Sequence, residues 1–301
     1  MKKILIAAFV LHAGIASAQT TLQEKLGYPK NTKLLIIHGD DLGVAHSQNE
    51  ASIQAMEKGS VSSASIMVPC PWFAEIAAWA RLHPKADLGL HLTLTSEWKY
   101  YKWGPVAAKE KVPGMVNQYG FLFESADSVH NSASPAEVET EVRAQIDRAK
   151  QFGIDITHLD SHMGTLFFKQ EFLQVLVKLG REYKIPVMLP KQLPGVAGLA
   201  TDKDVLIDNV YTANPADFKN GFENYYTGIF KSLQPGVSVI LIHVAYDDRE
   251  MQGVSIDHPD WGAAWRQADF NFFTSANCKN LLQENNIRVI TWREIRDKLM
   301  K

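Results

Sequence analysis

The sequence predicts an α/β protein: a single-domain, distorted (β/α) barrel of seven or eight parallel strands, with its active site at the strands' C-terminal ends. Two observations carry that expectation. Short apolar, β-rich runs alternate with amphipathic stretches from residue 33 to the end, which is the order of parallel βα units. Aspartates and histidines stand at the ends of four of those runs, and strand ends from distant parts of a chain converge on one face of such a barrel. An open, doubly wound sheet is the alternative that the same alternation allows.

The first eighteen residues stand outside this scheme. Lys2 and Lys3 precede an apolar run from Ile4 to about Ile15, and Ala16-Ser17-Ala18 supplies the small-x-small site of a secretory signal peptide cleaved before Gln19. The run is too short for a permanent membrane span. An exported protein, periplasmic or secreted, is therefore expected, with residues 19–301 as one barrel domain and no membrane attachment after cleavage. Loss of the two lysines takes the net charge from −2 to −4, so no footprint for nucleic acid is expected. With 46% hydrophobic and 21% charged residues, the composition excludes a disordered, collagenous or coiled-coil chain. Cys70 and Cys278 are the two cysteines, too few for a disulfide framework or a cysteine-built zinc site. They read as two buried thiols, although an oxidising compartment would permit a bridge.

The run Lys33-Leu34-Leu35-Ile36-Ile37-His38 is apolar without alternation, as in a strand covered on both faces. Runs 62–68, 87–94, 154–162, 185–189, 205–211, 237–244 and 287–291 read similarly. Helices are expected over 45–57, 72–82, 135–152, 170–183, 216–231 and 265–284, and from Arg293 onward. The clearest is 135–152. Ser134 is its N-cap, Pro135 suits the first turn and Glu137 closes a capping box. Val138, Val142, Ile146 and Ala149 recur at helical spacing, and Gly153 ends the helix. Segments 95–130 and 246–265 are long and lack a period, and long loops at strand ends usually wall an active site.

His38-Gly39-Asp40-Asp41-Leu42-Gly43 follows the first strand. Two adjacent acids there are costly unless something compensates them. Neighbours on an extended chain point to opposite sides, so the pair converges only where the strand frays. One acid is then free to bind a metal and the other to act as a base; a helix-capping role for Asp41 is the plainer alternative. Gly89-Leu90-His91-Leu92-Thr93-Leu94 holds a histidine in an apolar strand, a pattern that alone more often marks a core residue. In His158-Leu159-Asp160-Ser161-His162 the period of two puts His158, Asp160 and His162 on one face. His243 ends the 237–243 run.

One carboxylate and two imidazoles leave open positions on a divalent cation. The cation activates water and polarises a carbonyl while a free carboxylate and imidazole move protons. That chemistry suits hydrolysis of an amide or ester. The G-x-S-x-G elbow and glycine-rich phosphate loops are absent from the sequence.

Taken in order, the Gly39–Gly43, Gly89–Leu94 and His158–His162 motifs and the late Ile242-His243 resemble the four signatures of the YdjC-like carbohydrate deacetylases, a group that includes chitooligosaccharide and hopanoid-sugar deacetylases. The resemblance implies a distorted barrel related to the polysaccharide deacetylases, one divalent metal ion (zinc or magnesium), and removal of N-acetyl groups from a mono- or oligosaccharide. It implies Asp41, His91 and His162 as metal ligands, Asp40 as general base, and His243 as the residue that protonates the leaving group or stabilises the oxyanion. His38 and His158 are candidates to orient the ligands. Two positions depart from the pattern: Met163-Gly164-Thr165 follows His162 where a further histidine is common, and Met188 stands where many members carry arginine. Because sugar C–H faces pack on aromatic rings, Trp98, Tyr100, Tyr101 and Trp103 are expected on one wall of a substrate cleft, with Trp261 and Trp265 opposite. A non-catalytic sugar-binding barrel and a hydrolase of another amide or ester are the alternatives. An oligomer is compatible with the sequence.

Overall fold

Lys33–Leu42 (β1) is buried from Leu34 to its end, because strands lie along both of its edges. The computed structural model describes residues 20–300; the expected signal peptide and its cleavage site lie outside the described residues. Gly236–Ile242 (β8) pairs in parallel along one edge of β1. The other edge is shared. Ile287–Val289 (β9) takes the start of β1, and Ser63–Ile66 (β2) takes its end.

Leu88–Leu92 (β3), Leu159–Ser161 (β4) and Asn209–Thr212 (β7) extend the sheet to the order β4-β3-β2-β1-β8-β7, all parallel. Leu189–Pro190 (β5) and Leu206–Ile207 (β6) pair with each other. They close the gap between the sheet's two edges: Val187 bridges to Leu159, and the Asp208 N–H donates to the Val237 carbonyl at 2.9 Å. The sheet therefore curls into a distorted (β/α) barrel rather than lying open. The last expected strand is β9, which supports the start of β1 instead of adding a full stave.

The helix Pro135–Gln151 forms as its capping box dictates, with Ser134 and Glu137 bonded reciprocally. Val138, Val142, Ile146 and Ala149 are fully buried along its inner face. Two expected helices are each divided. Pro215–Lys219 and Phe222–Ser232 part at Gly221, whose φ of +89° ends the first. Ala263–Phe273 and Ala276–Glu284 part at Ser275, whose side chain caps the second. The expected 154–162 strand shortens to β4, since His162 opens a 3-10 turn. Cys70 and Cys278 are buried free thiols in separate parts of the core.

Candidate active site

Asp40 and Asp41 converge because β1 breaks its own register. Pairing with β2 shifts between Gly39 and Leu42, and Asp41 adopts φ +70°. That left-handed conformation is unfavourable for a residue with a Cβ, and surrounding bonds hold it. Gln48 donates to the Asp40 carbonyl at 2.9 Å, and Asn49 accepts from the Gly43 N–H at 2.7 Å. The kink turns consecutive side chains into one space, which an extended strand would not do.

His91 from β3 and His162 after β4 reach the same space. Oδ1 of Asp41 lies 3.4 Å from His91 Nε2 and 3.5 Å from His162 Nδ1. One donor atom from each of the three residues falls within 4.8 Å of the others. Oδ1 is buried and has no hydrogen-bond partner among the described residues. A buried carboxylate oxygen without a donor is costly, and a divalent cation among these N and O atoms would satisfy it. The donor set fits such an ion.

The outer nitrogen of each imidazole is engaged. His91 Nδ1 bonds Asp160 Oδ1 at 2.6 Å, leaving Nε2 to face Asp41. His162 Nε2 bonds Glu97 Oε2 at 3.0 Å, leaving Nδ1 to do so. Such partners orient ligating histidines and fix their tautomers. Burial works against a proton on His162, but the Glu97 and Asp41 carboxylates outweigh it and raise its pKa to about 10. Asp41 is likewise penalised by burial, yet Arg266 and the histidines hold its carboxyl well below the usual range.

Asp40 sits beside this cluster, 3.1 Å from His38 Nε2 and 3.8 Å from His243 Nε2. His38 also bonds Asp160 at 2.9 Å and Ser63 at 3.0 Å, so one buried imidazole ties Asp40 to the carboxylate behind His91. Burial lowers the His38 pKa, but these two carboxylates prevail and raise it to about 10. His158 stacks on Trp292 with centroids 5.1 Å apart and meets His38 edge-on at 4.8 Å. A Cβ at Gly89 would come within 2.3 Å of the His158 ring, which accounts for glycine before Leu90 and His91. His243 lies just beyond β8, its backbone N–H donating to Asp269 at 3.0 Å.

The aromatic residues are arranged differently from two facing walls. Trp98, Trp103 and Trp265 are buried, at 3%, 4% and 1% exposure. Trp103 Nε1 donates to the Thr95 carbonyl at 2.9 Å, and the Tyr101 hydroxyl donates to the Val44 carbonyl at 2.7 Å. Trp98 meets His258 edge-on at 5.1 Å, and Lys99 pairs with Asp257. The two long loops therefore touch each other. Trp261 keeps 37% of its surface exposed and stacks on Trp265 at 4.9 Å; Tyr100 is exposed.

Three participants were not among the residues expected at the site from sequence. Asp160 had a signal in its shared face with His158 and His162. Glu97 follows the His91 strand in a loop already marked as unusual. Arg266, which donates to Asp41 Oδ2 at 2.7 Å, has no signal in a sequence pattern. At the two departures, Gly164 turns the chain with φ +65° and Met188 is buried in the core, so neither adds a polar group.

Comparison with known proteins matches this chain over nearly its whole length. It is 29% identical to a carbohydrate deacetylase of Thermus thermophilus over 290 residues, 92% of this chain and 99% of that protein. It is 24% identical to a chitooligosaccharide deacetylase of Klebsiella pneumoniae, covering 87% of this chain and 99% of the relative. Among solved structures, an Enterococcus faecalis protein described as a proposed cellobiose-phosphate cleavage protein superposes with a TM-score of 0.75 at 24% identity, over 88% of this chain and 99% of the other; this likeness establishes the fold. The model of the YdjC-like protein family matches residues 34–284. The chain belongs to the YdjC-like family.

Proposed function

We propose that the protein is a metal-dependent carbohydrate deacetylase that removes N-acetyl groups from a mono- or oligosaccharide. The observation that carries this reading is the unpartnered Asp41 Oδ1 between two oriented imidazoles, with a second carboxylate, Asp40, alongside. The names of the relatives, matched at nearly full length, supply the substrate class.

Asp41, His91 and His162 would hold one divalent ion, zinc or magnesium, which when bound supplies a Lewis acid and lowers the pKa of water. Asp40 takes the proton from the attacking water, with His38 fixing the carboxylate's direction. His243 Nε2, 3.8 Å from Asp40 and 3.9 Å from Asp41, is kept neutral by burial, which lowers its pKa to about 4; it donates to the acetyl oxygen as charge builds, or relays to the leaving amine the proton that Asp40 has taken. Trp261 offers the sugar an exposed ring face, while Trp98, Tyr101 and Trp103 shape the loop from within. Export to the periplasm or medium is proposed with this reading, on the sequence of residues 1–18.

Acetate release from a panel of N-acetylated mono- to tetrasaccharides tests the reading. Release should occur with at least one sugar, stop with chelator and return when a divalent ion is restored. No release across the panel, or release indifferent to chelator, would refute it.

A further inference from the structure

Arg266 has no place in the chemistry above, yet it is built into the site on every side. It lies in the helix Ala263–Phe273 and is 1% exposed. Its Nη2 donates to Asp41 Oδ2 at 2.7 Å, Nη1 to Gln48 Oε1 at 2.9 Å and Nε to the Trp261 carbonyl at 2.7 Å. The Trp98 ring covers the guanidinium at 5.4 Å. A planar fork held by three partners cannot rotate away from any one of them.

The two oxygens of Asp41 are consequently unlike. Oδ2 is engaged by a short, charge-assisted bond. Oδ1 has no donor and faces His91 Nε2 and His162 Nδ1. We propose that Arg266 is a positioning residue that confines Asp41 to ligation through one oxygen. The proposal rests on the metal reading given above. A carboxylate binding through both oxygens would fill two positions on the ion, whereas one oxygen and two imidazoles leave room for water and a substrate carbonyl together. Charge neutralisation of Asp41 alone would not require the contacts to Gln48 and Trp261. Those contacts fix a direction.

X-ray absorption at the zinc edge of the full, zinc-loaded protein reads this arrangement without relying on activity. The parent protein should lack the close carboxylate-carbon shell that two-oxygen ligation produces. Arg266→Gln should gain that shell, and its cobalt(II)-substituted form should lose visible absorption as the coordination number rises. A carboxylate-carbon shell in the parent protein overturns the proposal, and it does so even if Arg266→Gln fails to fold. A folded Arg266→Gln protein with spectra unchanged from the parent overturns it as well. A parent protein that takes up neither zinc, cobalt(II) nor magnesium removes the metal reading itself, and this proposal with it.

Discussion

Asp160 joins the two halves of the site, since one carboxylate accepts from His91 at 2.6 Å and from His38 at 2.9 Å. The first bond aims a proposed ligand, and the second reaches the proposed base through one imidazole. Replacing it by alanine would remove the bond that orients His91 and leave the buried His38 imidazole with Asp40 as its one carboxylate partner. Asp160→Ala should therefore bind zinc about 10–100-fold more weakly, the usual cost of losing such a partner. Competition with a chromophoric chelator measures this, and unchanged affinity would show that Asp160 only fills the barrel. The candidate strand ends were legible, because aspartate or histidine at four of them is a pattern a sequence displays, while the choice of Asp41, His91 and His162 among them came from the family resemblance. Their outer partners were less so. Arg266 meets Asp41 across 225 residues, and no local spacing encodes such a contact.

At the scale of elements, Glu141 fastens the long loop after β3 to the helix Pro135–Gln151. Its carboxylate accepts from the backbone N–H groups of Val106 and Ala107 and from Gln145, each at 2.8 Å. Burial pushes its pKa up to about 7, against those bonds and the nearby Arg148. A raised folded pKa means that the fold holds a proton which the unfolded chain has released. Between the ordinary value of 4.5 and about 7, stability from this group falls as pH rises, by up to about 1.4 kcal/mol per unit. Urea unfolding at pH 5 and pH 8 should show this loss in the parent and a smaller one in Glu141→Gln; equal losses would contradict it. The capping box offers a second check on the same helix: Ser134→Ala should cost about 1 kcal/mol, read from the urea midpoint, with acetate release unchanged. This helix was legible because its stop and start signals are local. The 216–231 and 265–284 helices were read as continuous since their apolar spacing persists through Gly221 and Ser275, whose turn and cap emerge only in the folded backbone.

Across the whole molecule, the alternation of apolar runs and amphipathic stretches foretold parallel strands, and the kink at Asp41 gathers residues from three of their ends. Closure into a barrel was expected from the number of apolar runs, but the contacts that make it were not legible. They involve β5 and β6, two residues each, too short for a period, the backbone bonds of Leu159 with Pro186 and Met188, and the pair of bonds between Asp208 and Val237. The aromatic loops were correctly marked as unusual, but no sequence pattern shows that they meet each other through Lys99 and Asp257. The central claim is that this architecture assigns adjacent aspartates to different tasks: Asp41 to the ion and Asp40 to the proton. Metal stoichiometry measured together with single-turnover acetate release tests it most directly. Asp41→Ala should lose metal and activity together. Asp40→Asn should keep one equivalent of metal while its rate falls by roughly 10²–10⁴, the scale of general-base catalysis. An Asp40→Asn protein that loses its metal, or turns over at close to the parent rate, would contradict the account.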